Sequence, residues 1–428
     1  MNKIPALKFK GMNWKAILLF GLAIFFSFLI ISWTLEKDSP THYGGDYLAF
    51  WSAGKVADQF GFSMIYNLDK LKAFQSRVFE TLSSQSGSNL TLITTLPAPF
   101  FSVFMVPFKY LSRIEIEKSY WIWVGINLLI LFAYLVFFLK NVFPEKKFYE
   151  NAIILLLLLA SFPVFDNLVN GQLNIFLVVC CGEFIRNAVK KKPWIAGLWL
   201  GGMLLKPQVL ILLLPILLIQ RNWKALYGFM LSSLVIVGSS TLLSGVDGMI
   251  AYARLLTGWS EGNSVTAPEA MINWRMIAVY INTIFGSPYG WVLAGVGVVL
   301  TLAAVYFLLK KRIEFGTSEW VLTMLGVMSA TLAVTWHAHA HMAVVIIPLL
   351  LYAVANRTLP EKYALIWVGL TPAAWLGFVV LGAVLQQTVD VNILNYQGMV
   401  VAISGFAANL LILGFVYKNS RQRLPAGA

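Results

Sequence analysis

The sequence predicts an all-α polytopic membrane protein, and three observations carry this prediction. Hydrophobic residues make up 59% of the 428 residues, charged residues make up only 12%, and the mean hydropathy is +0.75. Soluble domains carry about twice that charged fraction. Apolar runs of spanning length also recur along the whole chain. The excess apolar surface is therefore expected to face lipid as transmembrane helices, which satisfy their own backbone hydrogen bonds.

A crossing helix needs about 20 mostly apolar residues, or fewer where protein shields it. We predict a single integral membrane domain over residues 1–428, built from about 12 such helices. The predicted segments are 14–33, 119–139, 150–165, 173–187, 193–205, 208–219, 225–243, 289–309, 319–336, 342–355, 363–384 and 396–417. The first has no small-residue cleavage site after it, so it is predicted to be a helix of the bundle rather than a removable signal peptide.

Lysine and arginine fix the predicted orientation, because cytoplasmic loops carry an excess of both. With the N-terminus inside, the basic clusters at 140–147, 186–192 and 310–312 lie in the cytoplasm, and so does the C-terminus. The net charge of +13 then reflects topology, and we expect no nucleic-acid partner. A bacterial plasma membrane is the expected location.

Two long outer loops, 34–118 and 244–288, follow from this topology. Loops of such length are usually functional. Within the first loop, 96–112 is apolar but carries three prolines. If it crossed the membrane, the basic clusters that follow it would move outside. We therefore predict a helix that lies at the outer interface.

Polar residues near membrane depth all fall on the predicted outer side. They are Asp46 after the first segment, Asp166, Asn170 and Gln172 in "FDNLVNGQLN", Lys206 and Gln208 in "LLKPQVL", Arg254 and Arg275 in the second loop, and His337, His339 and His341 in "TWHAHAHMA". Such groups are costly in hydrocarbon and persist where they face a cavity or one another. The sequence predicts an outward-opening site at the membrane–water boundary, where a lipid-linked substrate presents its polar head.

Three of these residues also have a structural interpretation. Asp46 follows two glycines and could cap a helix that begins near Tyr47. Lys206 could extend to the outer headgroups, although it lies outside, against the charge rule, and is followed by a proline. Arg275 is either a surface charge of the loop or a phosphate ligand.

The histidines and aromatic residues leave further alternatives open. His337 and His341 would share a helical face, which suggests zinc, but no Glu completes an H-E-x-x-H pattern. A polar wall, an acid–base role or an outer cap for two helices are the other interpretations, and no metal site is predicted. Tyr47 and Trp51 are either anchors at the interface or a stacking surface for a sugar.

Several of these motifs, in this order and spacing, resemble those of the family 87 glycosyltransferases. The matching stretches are "GGDYLAFWSAG", "FSMIYN", "LPAPFFSVFMVPFKYL", "NGQLN", "AGLWLGGMLLKPQVLILLLPILLIQRNWKAL" and a Trp-His near the end of a later segment. The family includes polyprenol-phosphate-mannose-dependent α-mannosyltransferases. The resemblance covers most of 40–345, and it implies a GT-C-like bundle whose long first outer loop carries interfacial helices and a catalytic Asp.

The resemblance also implies a reaction, in which a sugar moves with inversion from a polyprenyl-phosphate donor to an acceptor hydroxyl. Asp46 takes the position of the general base, and His337 takes the Trp-His position. One departure is "TWHAHAH" where a His-His pair is expected, which leaves open which imidazole takes that role.

Inversion needs one base opposite the leaving group and fixed cations beside the departing phosphate. Lys206 and Arg275 are the predicted phosphate ligands, with Arg254 as a third. No cofactor is expected. The expected partners are membrane lipid, the donor, with mannose as the expected sugar, and a lipid or glycan acceptor. The alternative function is a transporter or flippase of a lipid-linked or anionic substrate.

Overall fold

A computed structural model describes residues 14–35, 45–87, 92, 94–143, 145–260, 267–310, 313–385 and 396–422. Regular structure in these residues is helical, apart from one isolated antiparallel bridge between Met271 and His339. The predicted all-α class is confirmed.

The α-helices of the described residues are numbered here in chain order. They are α1 Trp14–Leu35, α2 Gly45–Phe60, α3 Leu68–Ser86, α4 Val106–Leu111, α5 Ile116–Val142, α6 Glu145–Leu159, α7 Phe162–Val169, α8 Asn174–Val189, α9 Pro193–Gly202, α10 Leu213–Ile219, α11 Trp223–Ser260, α12 Trp274–Phe285, α13 Tyr289–Leu309, α14 Ser318–Val334, α15 Ile347–Ala355, α16 Glu361–Leu385 and α17 Gln397–Gln422. Short 3₁₀ turns extend several of them, at Phe62–Met64, Ser102–Met105, Met203–Leu205, Pro207–Leu210, Pro268–Ala270 and Ala340–Ile346.

Six of the described helices are long and apolar enough to cross a membrane, which identifies an integral membrane protein. They lie in α1, α5, α11, α13, α16 and α17. Residues Asn151–Leu159 and Phe162–Val169, bent by 41° at their break, make a seventh if they count as one span. The number of about 12 is therefore not confirmed. The other predicted segments do form helices, but these are shorter.

The shorter helices come in pairs that meet at a turn. Pro193–Leu205 and Pro207–Ile219 meet at Lys206, where Pro207 has no backbone N–H to continue the helix. Ser318–Val334 and Ala340–Ala355 meet in a non-helical segment that contains His337 and His339. Both turns carry polar residues that the sequence singled out.

The ends of these helices that lie away from the turns meet at one end of the bundle, here called the basic end. There Lys191 Nζ donates to Glu314 Oε1 at 2.5 Å, and Trp320 Nε1 donates to Gln220 Oε1 at 3.2 Å. Tyr352 packs on Phe143 with ring centroids 5.4 Å apart. The paired helices thus run from the basic end into the bundle and back.

Helices α2, α3 and α4 of the first predicted loop form a layer at the opposite end, here called the outer layer after its predicted side. Helix α11 contacts the first predicted loop on both sides of a bend at Gly245, whose φ of 71° and ψ of 174° only glycine adopts readily. Beyond the bend, Tyr252 packs against Phe101, with ring centroids 4.8 Å apart and ring planes tilted by 46°. Ser102 Oγ donates to Ser240 O at 3.0 Å, which also joins the loop to α11.

The predicted helix over 96–112 is present only from Ser102 to Leu111. The stretch before it is extended, because the prolines at 97 and 99 lack the N–H that a helix requires. Its location at the membrane interface stays a prediction. The second predicted loop, 244–288, is also largely helical where it is described, through α11 and α12.

Candidate active site

A cavity of about 770 Å³ opens where the outer layer meets the bundle. Most of the polar residues predicted from the sequence line it. They are Asp46, Asp166, Asn170, Gln172, Lys206, Gln208, His337, His339 and His341. The predicted convergence is therefore present in the structure: these side chains come from four separate stretches of chain.

The turn after α7 connects two walls of the cavity. Gly171 has a φ of 62°, and a Cβ there would lie 2.6 Å from Tyr47 Cβ, so the "NGQ" stretch requires its glycine. Tyr47 N donates to Asn170 O at 3.1 Å, and Trp123 Nε1 donates to Gly171 O at 2.8 Å. Helices α2 and α5 thus hold the turn from two sides.

Asp46 lies in the first turn of α2, where the helix dipole favours a negative charge. The helix begins at Gly45, so Asp46 is inside the helix rather than before it. Its Oδ2 accepts a short hydrogen bond from Gln172 Nε2. The carboxylate of Asp46 therefore contacts the turn after α7 directly.

Lys206 occupies the break between its two short helices and is only 7% exposed. Its Nζ donates to Gln172 Oε1 at 3.0 Å. The ammonium group points into the cavity, which disfavours the interpretation that it extends to the headgroups. Asp46, Gln172 and Lys206 form one hydrogen-bonded chain.

Asp166 is the second carboxylate of the cavity. Asn170 Nδ2 donates to its Oδ1 at 2.9 Å, and His341 N donates to its Oδ2 at 2.9 Å. His341 Nδ1 lies 3.4 Å from the same Oδ2. In the described residues, hydrogen bonds engage both oxygens of Asp166 but only Oδ2 of Asp46, so Asp46 is better suited to accept a substrate proton.

The three histidines do not share a helical face, because the segment that carries His337 and His339 is extended. Consecutive rings pack instead, with centroids 4.8 Å apart for His337 and His339 and 5.5 Å apart for His339 and His341. Ile272 N donates to Ala338 O at 2.7 Å, which fixes the segment against the second predicted loop. No group of three His, Cys, Asp or Glu suited to a metal ion occurs among the residues that the structure describes.

Four predicted site residues do not line the cavity. Tyr47 is fully buried and its hydroxyl lies 2.5 Å from Ser119 Oγ, while Trp51 Nε1 donates to Ile114 O at 3.1 Å. The first contact joins α2 to α5, and the second joins α2 to the segment before α5. Arg254 is exposed on α11.

Arg275, the fourth of these residues, reaches the rim of the cavity indirectly. Its guanidinium carbon lies 4.3 Å from the ring centroid of Trp336, which does line the cavity. Trp336 is 52% exposed. It is the Trp of the Trp-His pair that the sequence analysis noted, although only the His was predicted to be a site residue.

The sequence did not predict the apolar wall of the cavity. This wall comes from helices α1, α7, α16 and α17, and includes Leu29, Phe162, Phe165, Trp375 and Val401. Apolar residues carried no signal because every predicted transmembrane segment is rich in them. The cavity thus combines a polar end with an apolar side, as a lipid-linked polar ligand requires.

Comparison with known proteins gives one match. No curated protein and no solved structure matches the chain significantly. The model of glycosyltransferase family 87 matches residues 98–335, which is more than half of the chain. The matched region contains Asp166, Gln172 and Lys206, begins after Asp46 and ends before His337. The chain belongs to glycosyltransferase family 87.

Proposed function

We propose that this glycosyltransferase is an inverting enzyme that moves a sugar, with mannose as the first candidate, from a polyprenyl-phosphate donor to a hydroxyl of a lipid or glycan acceptor. One observation carries the proposal: Asp46 and Lys206 line the same cavity and are joined through Gln172. A base and a cation in one cavity are the two groups that a single displacement at a sugar phosphate needs.

Asp46 acts as the base in this proposal. It removes the proton of the acceptor hydroxyl as the new bond to the anomeric carbon forms, and the bond from that carbon to the phosphate oxygen breaks on the opposite face. The departing electron pair stays on the phosphate. His337 and His339 line the same cavity and are candidates to share the proton.

Lys206 stabilises the leaving polyprenyl phosphate, because a buried ammonium interacts more strongly with an anion than an exposed one does. Arg275 holds a second positive charge behind Trp336 at the rim. Arg254 lies outside the cavity lining, so its role is limited to attraction of the donor from a distance. No step in this scheme uses a cofactor.

The apolar wall receives the polyprenyl chain. Leu29, Phe165, Trp375 and Val401 belong to helices of the membrane bundle, so a chain that leaves the cavity on this side enters lipid. Helix α14 begins near the basic end, and its 17 residues rise about 25 Å toward the cavity. This length is less than the roughly 30 Å thickness of a hydrocarbon core. A cavity at that depth suits a donor whose phosphate sits just below the headgroups.

The proposed topology follows from the charge rule. The basic end and both termini face the cytoplasm, all of the about 12 segments enter the membrane, and the cavity opens on the outer side of the plasma membrane. The outer layer then belongs to a long first outer loop, as in a GT-C-like bundle.

A transporter or flippase remains the second candidate. Such proteins usually bind substrate near the bilayer midplane, between structural repeats. In this protein the polar residues line a cavity beside the outer layer, which favours the glycosyltransferase over the transporter.

The test is incubation of the purified protein with radiolabelled polyprenyl-phosphate sugars and membrane lipid, followed by identification of the product. We expect label in a new glycolipid or glycan and release of polyprenyl phosphate. Absence of transfer with every donor, together with translocation of intact donor across vesicles, would support the second candidate instead.

A further inference from the structure

Gln172 makes a contact that few side chains can make. An ammonium group only donates hydrogen bonds and an ionised carboxylate only accepts them, so a bridge between the two needs an acceptor and a donor on one group. A primary amide supplies both. The Oε1 of Gln172 accepts from Lys206 Nζ at 3.0 Å, and its Nε2 donates to Asp46 Oδ2.

The surrounding structure fixes this amide in place. Gln172 is 5% exposed, and its backbone N donates to Asn167 O at 2.9 Å. The preceding Gly171 packs against Tyr47, the neighbour of Asp46 in α2. Gln172 and Asp46 are therefore held relative to each other by the backbone as well as by the side-chain contact.

The bridge keeps two opposite charges apart inside a buried cavity. At short range and low dielectric constant, a direct ammonium–carboxylate contact is strongly favourable. Such a contact would occupy both the base and the cation, so neither could act on a substrate. The other titratable groups that line the cavity are Asp166, His337, His339 and His341, and none of them lies between Asp46 and Lys206 in the hydrogen-bonded chain.

We infer that Gln172 is a positioning residue of the proposed transfer reaction: it holds Asp46 toward the acceptor and Lys206 toward the donor phosphate by preventing the two from forming an ion pair. This inference rests on the proposed function. It assigns to the glutamine of the "NGQ" turn a role that depends on its amide chemistry, and not only on its size.

Two substitutions test that chemistry. Gln172→Glu keeps the size but cannot donate to Asp46 and binds Lys206 directly. Gln172→Ala removes the amide that lies between Lys206 and Asp46 in the hydrogen-bonded chain. We expect each to lower kcat by about 10²-fold and to weaken binding of polyprenyl phosphate by about 10-fold, since misplaced groups at an active site typically cost this much. Gln59→Glu, at the exposed end of α2, is the matched control and should match the wild type in both measurements.

A double-mutant cycle separates positioning from a structural role. In a Lys206→Ala background no ion pair can form, so Gln172→Ala should lower kcat/KM by less than about 3-fold further. A full additional 10²-fold loss in that background would contradict the inference, and so would wild-type kcat and donor affinity in Gln172→Glu.

The outcomes also distinguish this inference from the proposed function. If the wild type and Gln59→Glu transfer sugar while Gln172→Glu is equally active, only the role of Gln172 is wrong. If the wild type transfers nothing, the proposed function is wrong, and binding of labelled polyprenyl phosphate then tests the bridge. Weaker binding in Gln172→Ala that shrinks in the Lys206→Ala background supports the bridging contact, and equal losses in both backgrounds contradict it.

Discussion

Two partly buried sets of charged residues in this protein differ in whether the opposite charges pair directly. Near the basic end, Arg186 and Glu183 of α8 pair directly, with Nε donating to Oε1 at 2.7 Å and Nη2 donating to Oε2 at 2.5 Å. Neither residue lines the cavity. At the other end of the same helix, Asp46 and Lys206 are separated by the amide of Gln172 and face a cavity.

The difference agrees with the proposed function, in which only the second set acts on a substrate. A paired Arg and Glu satisfy each other, and Asn187 Nδ2 donates to Glu183 O at 2.8 Å to complete the cluster. Such a cluster stabilises or specifies packing and offers nothing to a ligand. In the proposed reaction, charges that are held apart keep hydrogen-bonding capacity that an acceptor hydroxyl and a donor phosphate use.

Replacement of the proposed base should have the most severe consequence. We expect Asp46→Asn to lower kcat for sugar transfer by about 10³-fold or more, because an amide cannot accept the acceptor proton. Thermal stability and binding of polyprenyl phosphate should stay close to those of the wild type. Turnover of Asp46→Asn near the wild-type rate would show that Asp46 is not the general base.

Replacement of the proposed phosphate ligand should have a smaller effect, mainly on the donor. We expect Lys206→Ala to weaken binding of polyprenyl phosphate by about 10- to 10²-fold, as for a lost charge-assisted hydrogen bond. Equilibrium binding of labelled polyprenyl phosphate measures this. An unchanged affinity for polyprenyl phosphate would show that Lys206 is not a phosphate ligand.

The Arg–Glu pair should matter for stability and little for catalysis. Arg186→Met alone leaves Glu183 buried without its partner and should destabilise the protein by about 3 kcal/mol. The double variant Glu183→Gln with Arg186→Met should recover most of that loss and keep turnover within about 2-fold of the wild type. Thermal unfolding and specific activity of the folded fraction measure the two quantities. Loss of turnover in a stable double variant would mean that this cluster also serves the reaction.

The orientation of the two ends can be tested without any loss of function. Cys180 and Cys181 are both buried, so an introduced cysteine can be labelled selectively. Lys118→Cys, at a side chain 74% exposed near the outer layer, should react with a membrane-impermeant reagent from outside the cell. Lys192→Cys at the basic end is the matched control and should react only from the cytoplasmic side. The reverse pattern would overturn the proposed topology.

The polar residues of the site were predictable because charge inside an apolar chain is rare and costly. Asp46, Gln172 and Lys206 come together as expected. Tyr47 and Trp51 were predicted beside Asp46 from sequence proximity, but successive residues of a helix point about 100° apart, so these rings face the packing of the outer layer instead. Proximity along the chain does not decide which residues share a face.

The number of crossing helices was less predictable, because hydropathy does not distinguish a full crossing from a helix that enters the bundle and turns. Pro193–Leu205 and Pro207–Ile219 are both apolar, and only packing shows that they meet at Lys206 inside the protein. The apolar wall was missed for the same reason. The sequence alone does not distinguish Phe165 and Trp375 from residues that face lipid, and only the structure shows that they line the cavity.

The anomeric configuration of the product tests the proposed chemistry most directly. With a donor of known configuration, one base opposite one phosphate-binding cation predicts a product of inverted configuration, which NMR of the purified glycolipid or glycan identifies. A product of retained configuration would require a covalent or otherwise different route and would contradict the roles given to Asp46 and Lys206.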